Sequence, residues 1–520
     1  MIKIVNNSEI EIAWQYHNGT KHPLGFLMNP LHSYNSVNRP NPFKKYRNVP
    51  KIKMPKCSKT NCPVLKTISL NVKSNSSNNI PDFPNLSSIL YYSSGITKTI
   101  NFSNHGKMDF RAASCTGALY HIEIYVVCKD IKGLNAGIYH FDPKEMNLAL
   151  IRKGDFRSVL ISACGEDTDM RRATLILVYT DIFTKNSVKY QTREYRHAFW
   201  DCGTVIANTL AVCSGHNLPA KVVMGFVDKS VNYLLDLDEK KEVSLALVPI
   251  GTSKKETVGK QIEITKLNLK TDPLSSYDFD DPEIEKIHKA STLTTPNEVR
   301  KWSEKTIEIE MLPARTKYTT IRPLPEESLP QNAVESVIKS RGSTRIFSRE
   351  SISFEQLSTI IHYSTRRLYA DFLPQDNDSQ IDLYLIINNV EGIKQGSYFY
   401  DRKRNSLQLL KQGNFRERAR HLGLDQDLPA DGSVSVFLMT NLPKVFDRLG
   451  NRGYRTAQME ASIIGGKFYL SSFAHGLGAT GLTFYDDSVT EFFSPHAQNK
   501  NTMFMVIIGK RGGGLFDTRL

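Results

Sequence analysis

Cysteine is scarce: seven residues in 520, an odd number, all in the first half of the chain. An odd, dispersed set builds no disulfide framework and fits reduced thiols. Cys57 and Cys62 form C-x4-C with no second ligand pair nearby, so no metal site is expected. No apolar run approaches the roughly 18 residues of a membrane-spanning helix, so no membrane partner is expected. The start, "MIKIVNNSEIEIAW", carries acidic residues and no clean apolar core, which argues against a secretory signal and for the cytoplasm. Zinc-finger spacing, a ribonucleoprotein motif and a G-x-G-x-x-G dinucleotide fingerprint are all missing, so nucleic acid is not an expected partner. What remains is a soluble globular composition, 40% hydrophobic and 23% charged, with a net charge of +14. That charge is compatible with an acidic partner or with a merely soluble basic surface. The length predicts at least two cores.

Self-comparison shows why. "GLNAGIYHFDPKEMNLALIRKGDFR" from Gly133 returns as "GIKQGSYFYDRKRNSLQLLKQGNFR" from Gly392, 259 positions on. Arg196 and Arg455, and His216 and His475, keep the same offset. Upstream, "LSSILYYSSGI" at Leu86 echoes "LSTIIHYSTRR" at Leu357 at an offset of 271, so the first copy is shorter between these points. Each copy predicts an amphipathic helix (Leu86–Tyr92; Phe354–Tyr363), then an alternating strand, "IEIYVV" or "IDLYLII". A hairpin opens at "GIYHF" or "GSYFY", followed by a buried strand, "TLILVYT" or "VSVFLMT". A long helix with small residues for close packing starts near Arg193 or Arg452, and a last strand closes the copy. The fold class is α+β, duplicated in tandem. The expected organisation is an N-terminal arm (1–54), a first copy (55–251), a linker (252–330) and a second copy (331–520). The stretch holding "NVKSNSSNN" reads as a loop.

Four phrases carry a family resemblance. "AVESVIKSRGSTRIFS" is similar to an R-x-S-x-R opening, "RAASCTGALYHIEIYVV" to R-x-x-P-S-A-G-A-L-Y-P before a strand, "GLNAGIYHFDP" to a G-L-x-x-G-x-Y-x-Y-x-P hairpin, and "KYQTREYRHAFWDCG" to K-Y-G-x-R-x-Y-R-x-x-x-x-E-x-G at a helix start. In this order they resemble the flavin-dependent nitroreductase superfamily, most nearly its azoline dehydrogenase branch, the SagB-type thiazole/oxazole-forming oxidases. "YHNGTKH" and "NRPNPFKKY" are similar to the N-terminal arm of tandem members. The resemblance implies two nitroreductase-like units forming a pseudo-dimer within one chain, with FMN in their interface.

It also implies site residues. Arg341, Ser343 and Arg345 would hold the FMN phosphate and ribityl chain, the guanidiniums pairing with a dianion. Lys510 and Arg511 correspond in position to a second basic cluster. "HGLGATGL" supplies Gly478, Ala479, Thr480 and Gly481 for backbone approach to the ring, while Gly476 reads equally as a helix cap. Cys115, Thr116 and Gly117 form the flavin-edge loop from the first copy. Ser114 and Cys115 depart from the pattern's proline and serine, and Cys115 reads as a small buried thiol rather than a nucleophile. Lys189 and Tyr190 match the branch's catalytic Lys-Tyr pair.

The two copies lose different things. The first has "IPDFPN" where an arginine cluster is sought, and "HNLPAKVV" in place of the glycine loop. The second has "DFLPQDNDSQ" in place of the flavin-edge loop, and Arg448-Leu449 in place of Lys-Tyr. One composite site per chain is expected. The implied reaction is FMN-dependent oxidation of a peptide thiazoline or oxazoline to the azole. Lys189, its pKa lowered by a cationic neighbour such as Arg193, would act as base, and Tyr190 would relay or orient. Arg196 and Arg455, kept in both copies, read as structural, satisfying buried carbonyls. The implied partners are an azoline-containing precursor peptide and leader-peptide-binding or cyclodehydratase proteins. A general nitro- or quinone reductase using a nicotinamide donor, and a flavin-free scaffold or peptide-binding subunit, remain as alternatives.

Overall fold

The structure, a computed structural model, describes residues 7–26, 39–70, 72, 78–102, 106–260, 262–275, 280–305, 318–374 and 378–513. Most of the predicted loop around "NVKSNSSNN" lies outside the described residues, as does part of "DFLPQDNDSQ".

Two antiparallel sheets carry the two copies. The first runs in the spatial order Lys51–Lys53, Asn147–Lys153, Gly137–Asp142, Ile122–Cys128, Leu175–Ile182, Glu242–Ile250. The second repeats that order from Tyr318–Thr320 through Ser406–Gln412, Gly396–Asp401, Asp382–Ile387 and Val434–Thr440 to Asn501–Gly509, and adds Gly478–Leu482 at its end. The strand Ile122–Cys128, read from sequence as alternating, is buried along its whole length. Its polar side is covered by ionic partners: Glu123 receives Lys185 at 2.6 Å, and Tyr125 receives Lys44 at 2.7 Å. The predicted helices are present as Phe83–Ser94 and Phe354–Ser364, each started by a capping box, Asp82 with Asn85 and Ser353 with Gln356.

The long helices α1 (Glu194–Gly215) and α2 (Arg452–Ala474) cross at the centre of the molecule. Small side chains set their closeness. A Cβ on Gly203 would fall 1.8 Å from Ser462 Oγ, and one on Gly466 would fall 2.6 Å from the Ala207 Cβ. At the 259-residue offset each of these is a position meeting its own counterpart, which marks a pseudo-twofold axis between the copies.

The R-x-Y-R phrases lock that axis. Arg193 and Arg196 grip Asp486 of the second copy at 3.1 and 2.6 Å. Arg452 and Arg455 grip Asp228 of the first copy, both at 2.7 Å. Arg196 also donates to the His17 carbonyl and Thr20 Oγ1, and Arg455 to the His288 carbonyl and Ser291 Oγ. The expected satisfaction of buried carbonyls is therefore observed, together with an ion pair across the copies.

These contacts revise the reading of residues 252–330 as a linker. The segment forms helices Pro282–Ala290 and Pro296–Ser303, capped by Asp281 and Thr295. The first stands 271 positions after the arm helix Glu11–Gly19 and does the same job in the mirrored place. The arm is thus part of the repeated unit. Its counterpart was not visible in the sequence because the two share little beyond His17/His288 and the hydroxyls Thr20/Ser291. Among the described residues no helix is long and apolar enough to cross a membrane.

Candidate active site

The first copy contributes a tight turn and a helix end. Gly117, Ala118 and Tyr120 all take positive φ, 58°, 51° and 52°, so the turn needs external support. Asp201 of α1 supplies it, accepting from Thr116 N (2.9 Å), Thr116 Oγ1 (2.8 Å) and the Cys115 thiol (2.9 Å). Arg39 of the arm donates to the Ala118 carbonyl at 2.6 Å. Burial and the Asp201 charge push the Cys115 thiol up, which agrees with its reading as an inert small thiol.

The helix Phe183–Tyr190 is anchored by buried Lys185, which donates to Glu123 and to the Pro42 and Tyr120 carbonyls. It stops at Gln191, φ 48° and ψ −141°. Gly450 holds the equivalent place in the second copy with φ 65° and ψ −156°. Stopping there aims Lys189 and Tyr190 at the turn. A Cβ on Gly117 would lie 3.2 Å from Tyr190 Oη and 3.4 Å from Lys189 Cδ. Lys189 Nζ sits 5.3 Å from the Tyr190 ring centre, and that ring stands edge-on to His197 at 4.2 Å.

Partial burial lowers the Lys189 pKa, and the positive charges of Arg345 and Arg39 lower it further. The expected neighbour, Arg193, is instead buried against Asp486, because the break at Gln191 turns it away. Burial raises the Tyr190 phenol, and Asp201 raises it more, so Tyr190 keeps its proton and can donate.

The second copy contributes the basic side. Arg341 ends helix Val334–Ser340, donates through Nε to the Ala112 carbonyl at 3.0 Å, and lies 5.6 Å from the Tyr469 ring centre. Ser343 Oγ is 3.2 Å from Tyr469 Oη, which also accepts the Gly481 amide. The Thr344 amide donates to the Ala479 carbonyl at 3.0 Å. A Cβ on Gly478 would meet Thr344 Oγ1 at 2.4 Å and Arg511 Cγ at 2.8 Å. The structure thus gathers Arg341, Ser343, Gly478, Ala479, Gly481 and Arg511 around Tyr469 and Thr344, with Arg345 beside Lys189. Lys510 is turned to Glu350 at 3.2 Å on the surface. Gly476 follows the end of α2 with φ 72° and open space around it, the helix-cap role.

This chemistry fits an anionic cofactor. Among the described residues no carboxylate pairs with Arg341, Arg345 or Arg511. The hydroxyls of Thr344 and Thr480 are buried without a partner. Burial lowers the Arg341 pKa, and Tyr469, Tyr120 and Cys115 offset it only in part. Cationic and donor groups left uncompensated at one place call for an anion with several acceptors.

Among the described residues the mirrored place is built differently. Leu70 ends helix Val64–Ser69 as Arg341 ends its counterpart, and Val72 follows. "IPDFPN" is therefore not the counterpart of the arginine cluster. It caps the next helix through Asp82, and the arginine positions are held by Leu70 and its successors. The backbone of Val222 pairs with Tyr369 and Asp371 at 2.9 and 3.0 Å, and the Asp371 carboxylate accepts the Met224 and Gly225 amides. Among the described residues a cavity of about 20 Å³ lies here, lined by Leu70, Val72, Leu210, Tyr369 and Lys467, room for about a water molecule.

Sequence reasoning missed Tyr469, Arg39, His121 and Asp371. Tyr469 carried a signal, since its counterpart at the 259-residue offset is Leu210, and so did His121, which stands where the resembled run has its final proline.

A family model described as the nitroreductase family matches residues 103–252 and 338–510. A protein of Methanocaldococcus jannaschii named as a nitroreductase is 25% identical over 166 residues, 32% of this chain and 78% of that protein. The microcin B17-processing protein of Escherichia coli is 30% identical over 129 residues, 24% of this chain and 47% of that protein, so the match spans about half of that relative. A crystal structure named as a nitroreductase of Anabaena variabilis superposes with a TM-score of 0.75 at 22% identity, covering 96% of this chain and 99% of that one, a likeness of fold.

Proposed function

The chain belongs to the nitroreductase family, both copies included, and on that premise we propose that it is an FMN-dependent oxidoreductase with one composite site per chain. The observation that carries this reading is the meeting of complementary halves. Gly117, Lys189 and Tyr190 of the first copy face Arg345 of the second, while the mirrored interface is plugged by Asp371 and floored by Leu70.

The substrate we assign is a thiazoline or oxazoline in a precursor peptide, converted to the azole during peptide maturation. The likeness to the microcin B17-processing protein supports a peptide substrate, and the Lys189–Tyr190 pair supports the reaction. Arg341, Arg345, Ser343 and Arg511 would hold the phosphate and ribityl chain, and the strand Gly478–Leu482 would back the ring. When bound, FMN supplies the two-electron acceptor for the ring hydride, and dioxygen reoxidises it. Lys189, its pKa lowered by burial and by Arg345 and Arg39, removes the ring proton alpha to the carbonyl. Tyr190, protonated, orients the substrate carbonyl by donating to it. The partners this role requires are the precursor peptide and the cyclodehydratase proteins that make its azolines.

The test is flavin stoichiometry followed by turnover on an azoline peptide. One FMN per chain, with mass loss of two hydrogens per ring, supports the proposal. Two FMN per chain would contradict the single composite site. No FMN after reconstitution would favour a scaffold, and rapid bleaching by NADPH with a nitroaromatic but no azoline oxidation would favour a general reductase.

A further inference from the structure

The run that resembles R-x-x-P-S-A-G-A-L-Y-P has Cys115 for its serine and His121 for its final proline, and the helix-start run has Asp201 for its glutamate. These three departures converge. A ligand-type atom from each lies within 4.8 Å of the others. Asp201 Oδ2 is the hub: His121 Nε2 is 2.7 Å away, the Cys115 Sγ 2.9 Å, Thr116 N 2.9 Å and Thr116 Oγ1 2.8 Å. The other ring nitrogen, His121 Nδ1, meets Asp181 Oδ1 at 2.6 Å and Glu194 at 3.4 Å.

An imidazole between two carboxylates can donate to both only as imidazolium. Burial opposes that charge, but Asp181 and the hydrogen bonds to both aspartates outweigh it and hold the His121 pKa well above its ordinary value. Burial and the Asp181 charge raise the Glu194 carboxyl pKa. The separations of 2.6–2.9 Å are those of shared protons. Ligands around one zinc ion would stand about 3.3 Å apart or more, given bonds of about 2.0–2.3 Å.

The second copy holds its loop differently. Glu460, the counterpart of Asp201, reaches Ser379 Oγ and the Gln380 amide directly. Gln380, the counterpart of His121, donates from its side-chain amide to Glu460 at 3.3 Å, a neutral link, and Thr440 and Gly453 stand for Asp181 and Glu194. The charged hub is therefore confined to the copy that carries Lys189 and Tyr190.

We propose that His121 is a positioning residue of the composite site: clamped between Asp181 and Asp201, it fixes the carboxylate that anchors Cys115 and Thr116 and so holds Gly117 against Lys189 and Tyr190. The inference rests on the reading of Lys189–Tyr190 as the catalytic pair, but its first readout does not.

That readout is iodoacetamide alkylation of Cys115 in the full chain with its flavin, mapped by peptide mass spectrometry. Cys57 and Cys62, both half-buried, serve as internal references. His121→Gln is expected to raise Cys115 alkylation at least tenfold against those references. It is also expected to lower kcat for azoline oxidation about tenfold, with KM and FMN per chain within twofold. The double change His121→Gln with Asp201→Glu copies the Gln380/Glu460 arrangement and is expected to restore both readouts to within about threefold. It decides the matter alone if His121→Gln does not fold: a guarded Cys115 supports the anchor, and a freely alkylated one overturns it. Unchanged alkylation and kcat in His121→Gln overturn the proposal, as does one tightly bound zinc per chain that His121→Gln releases. If the wild-type chain oxidises no azoline while Cys115 alkylation still responds, the proposed reaction fails and the positioning role stands.

Discussion

Replacing Gly117 by alanine separates the backbone's needs from the site's. Gly117 has φ 58°, a conformation that costs an L-residue about 1–2 kcal/mol. The new methyl would sit 3.2 Å from Tyr190 Oη and 3.4 Å from Lys189 Cδ. Tyr190 cannot easily retreat, because its ring rests edge-on against His197 at 4.2 Å. The pair must shift by a few tenths of an ångström, and misplacement of reacting groups on the scale of 1 Å costs about a hundredfold in rate. Gly476→Ala is the matched control. Gly476 has φ 72° with nothing within 4 Å of an added Cβ. Both variants are expected to lose about 1–2 kcal/mol in urea denaturation. Only Gly117→Ala is expected to lose kcat, about tenfold, with FMN per chain unchanged. Equal kcat in the two variants would refute the placement of the Lys-Tyr pair against this turn.

Asp228→Asn and Asp486→Asn each leave two buried guanidiniums uncompensated and are expected to cost about 3–5 kcal/mol in the same assay. Burial works to raise both aspartate pKa values, but the paired arginines win and depress them, so this stability is present above the unfolded aspartate value near 4 and is lost as pH falls below it; the wild-type acid transition should be steeper than that of either variant. Lys189 acts as base only when neutral, so the rate should rise with pH through its lowered pKa. Arg345→Ala removes a positive neighbour and should move that limb to higher pH, as a pH–kcat profile would show. Arg341→Ala removes a buried donor worth about 1.5–3 kcal/mol to an anion and should weaken FMN binding about 10- to 150-fold by fluorescence titration.

What could be read in the sequence was what repeats or alternates. Gly133 and Gly392, or Arg196 and Arg455, announce the duplication because strands and the central helices tolerate no insertions. The copies of the arm were hidden, since Glu11–Gly19 and Pro282–Ala290 share a capping job rather than letters. The arginine-cluster counterpart was misplaced at "IPDFPN" for a related reason: the offset changes from 271 to 259 along the chain, so local position misleads. The Lys189 environment was beyond reach. Arg193 is near in sequence but turned away at Gln191, and the charges that act on Lys189 come from positions 39 and 345. Long-range electrostatics are set by the tertiary packing and leave no local pattern.

The asymmetry of the sites and the symmetry of the latches have one physical origin. In a homodimer a single sequence writes both interface sites, so a residue lost from one is lost from both. A covalent tandem removes that constraint: Leu70 can replace an arginine in one copy while Arg341 persists in the other, and Leu449 can stand opposite Tyr190. The side chains that hold the copies together have no such freedom. Asp228 and Asp486 each neutralise two buried arginines, and losing either leaves charge in the core whatever the other latch does. Chemistry needs one site and packing needs both sides, so complementary loss at the site beside strict retention at the latches is what this architecture permits. The same argument sets an expectation for restoration. Changing Leu70 to arginine alone should not recover a second flavin, because Asp371 still occupies the Met224 and Gly225 amides and the cavity holds about 20 Å³. FMN per chain should remain one in Leu70→Arg.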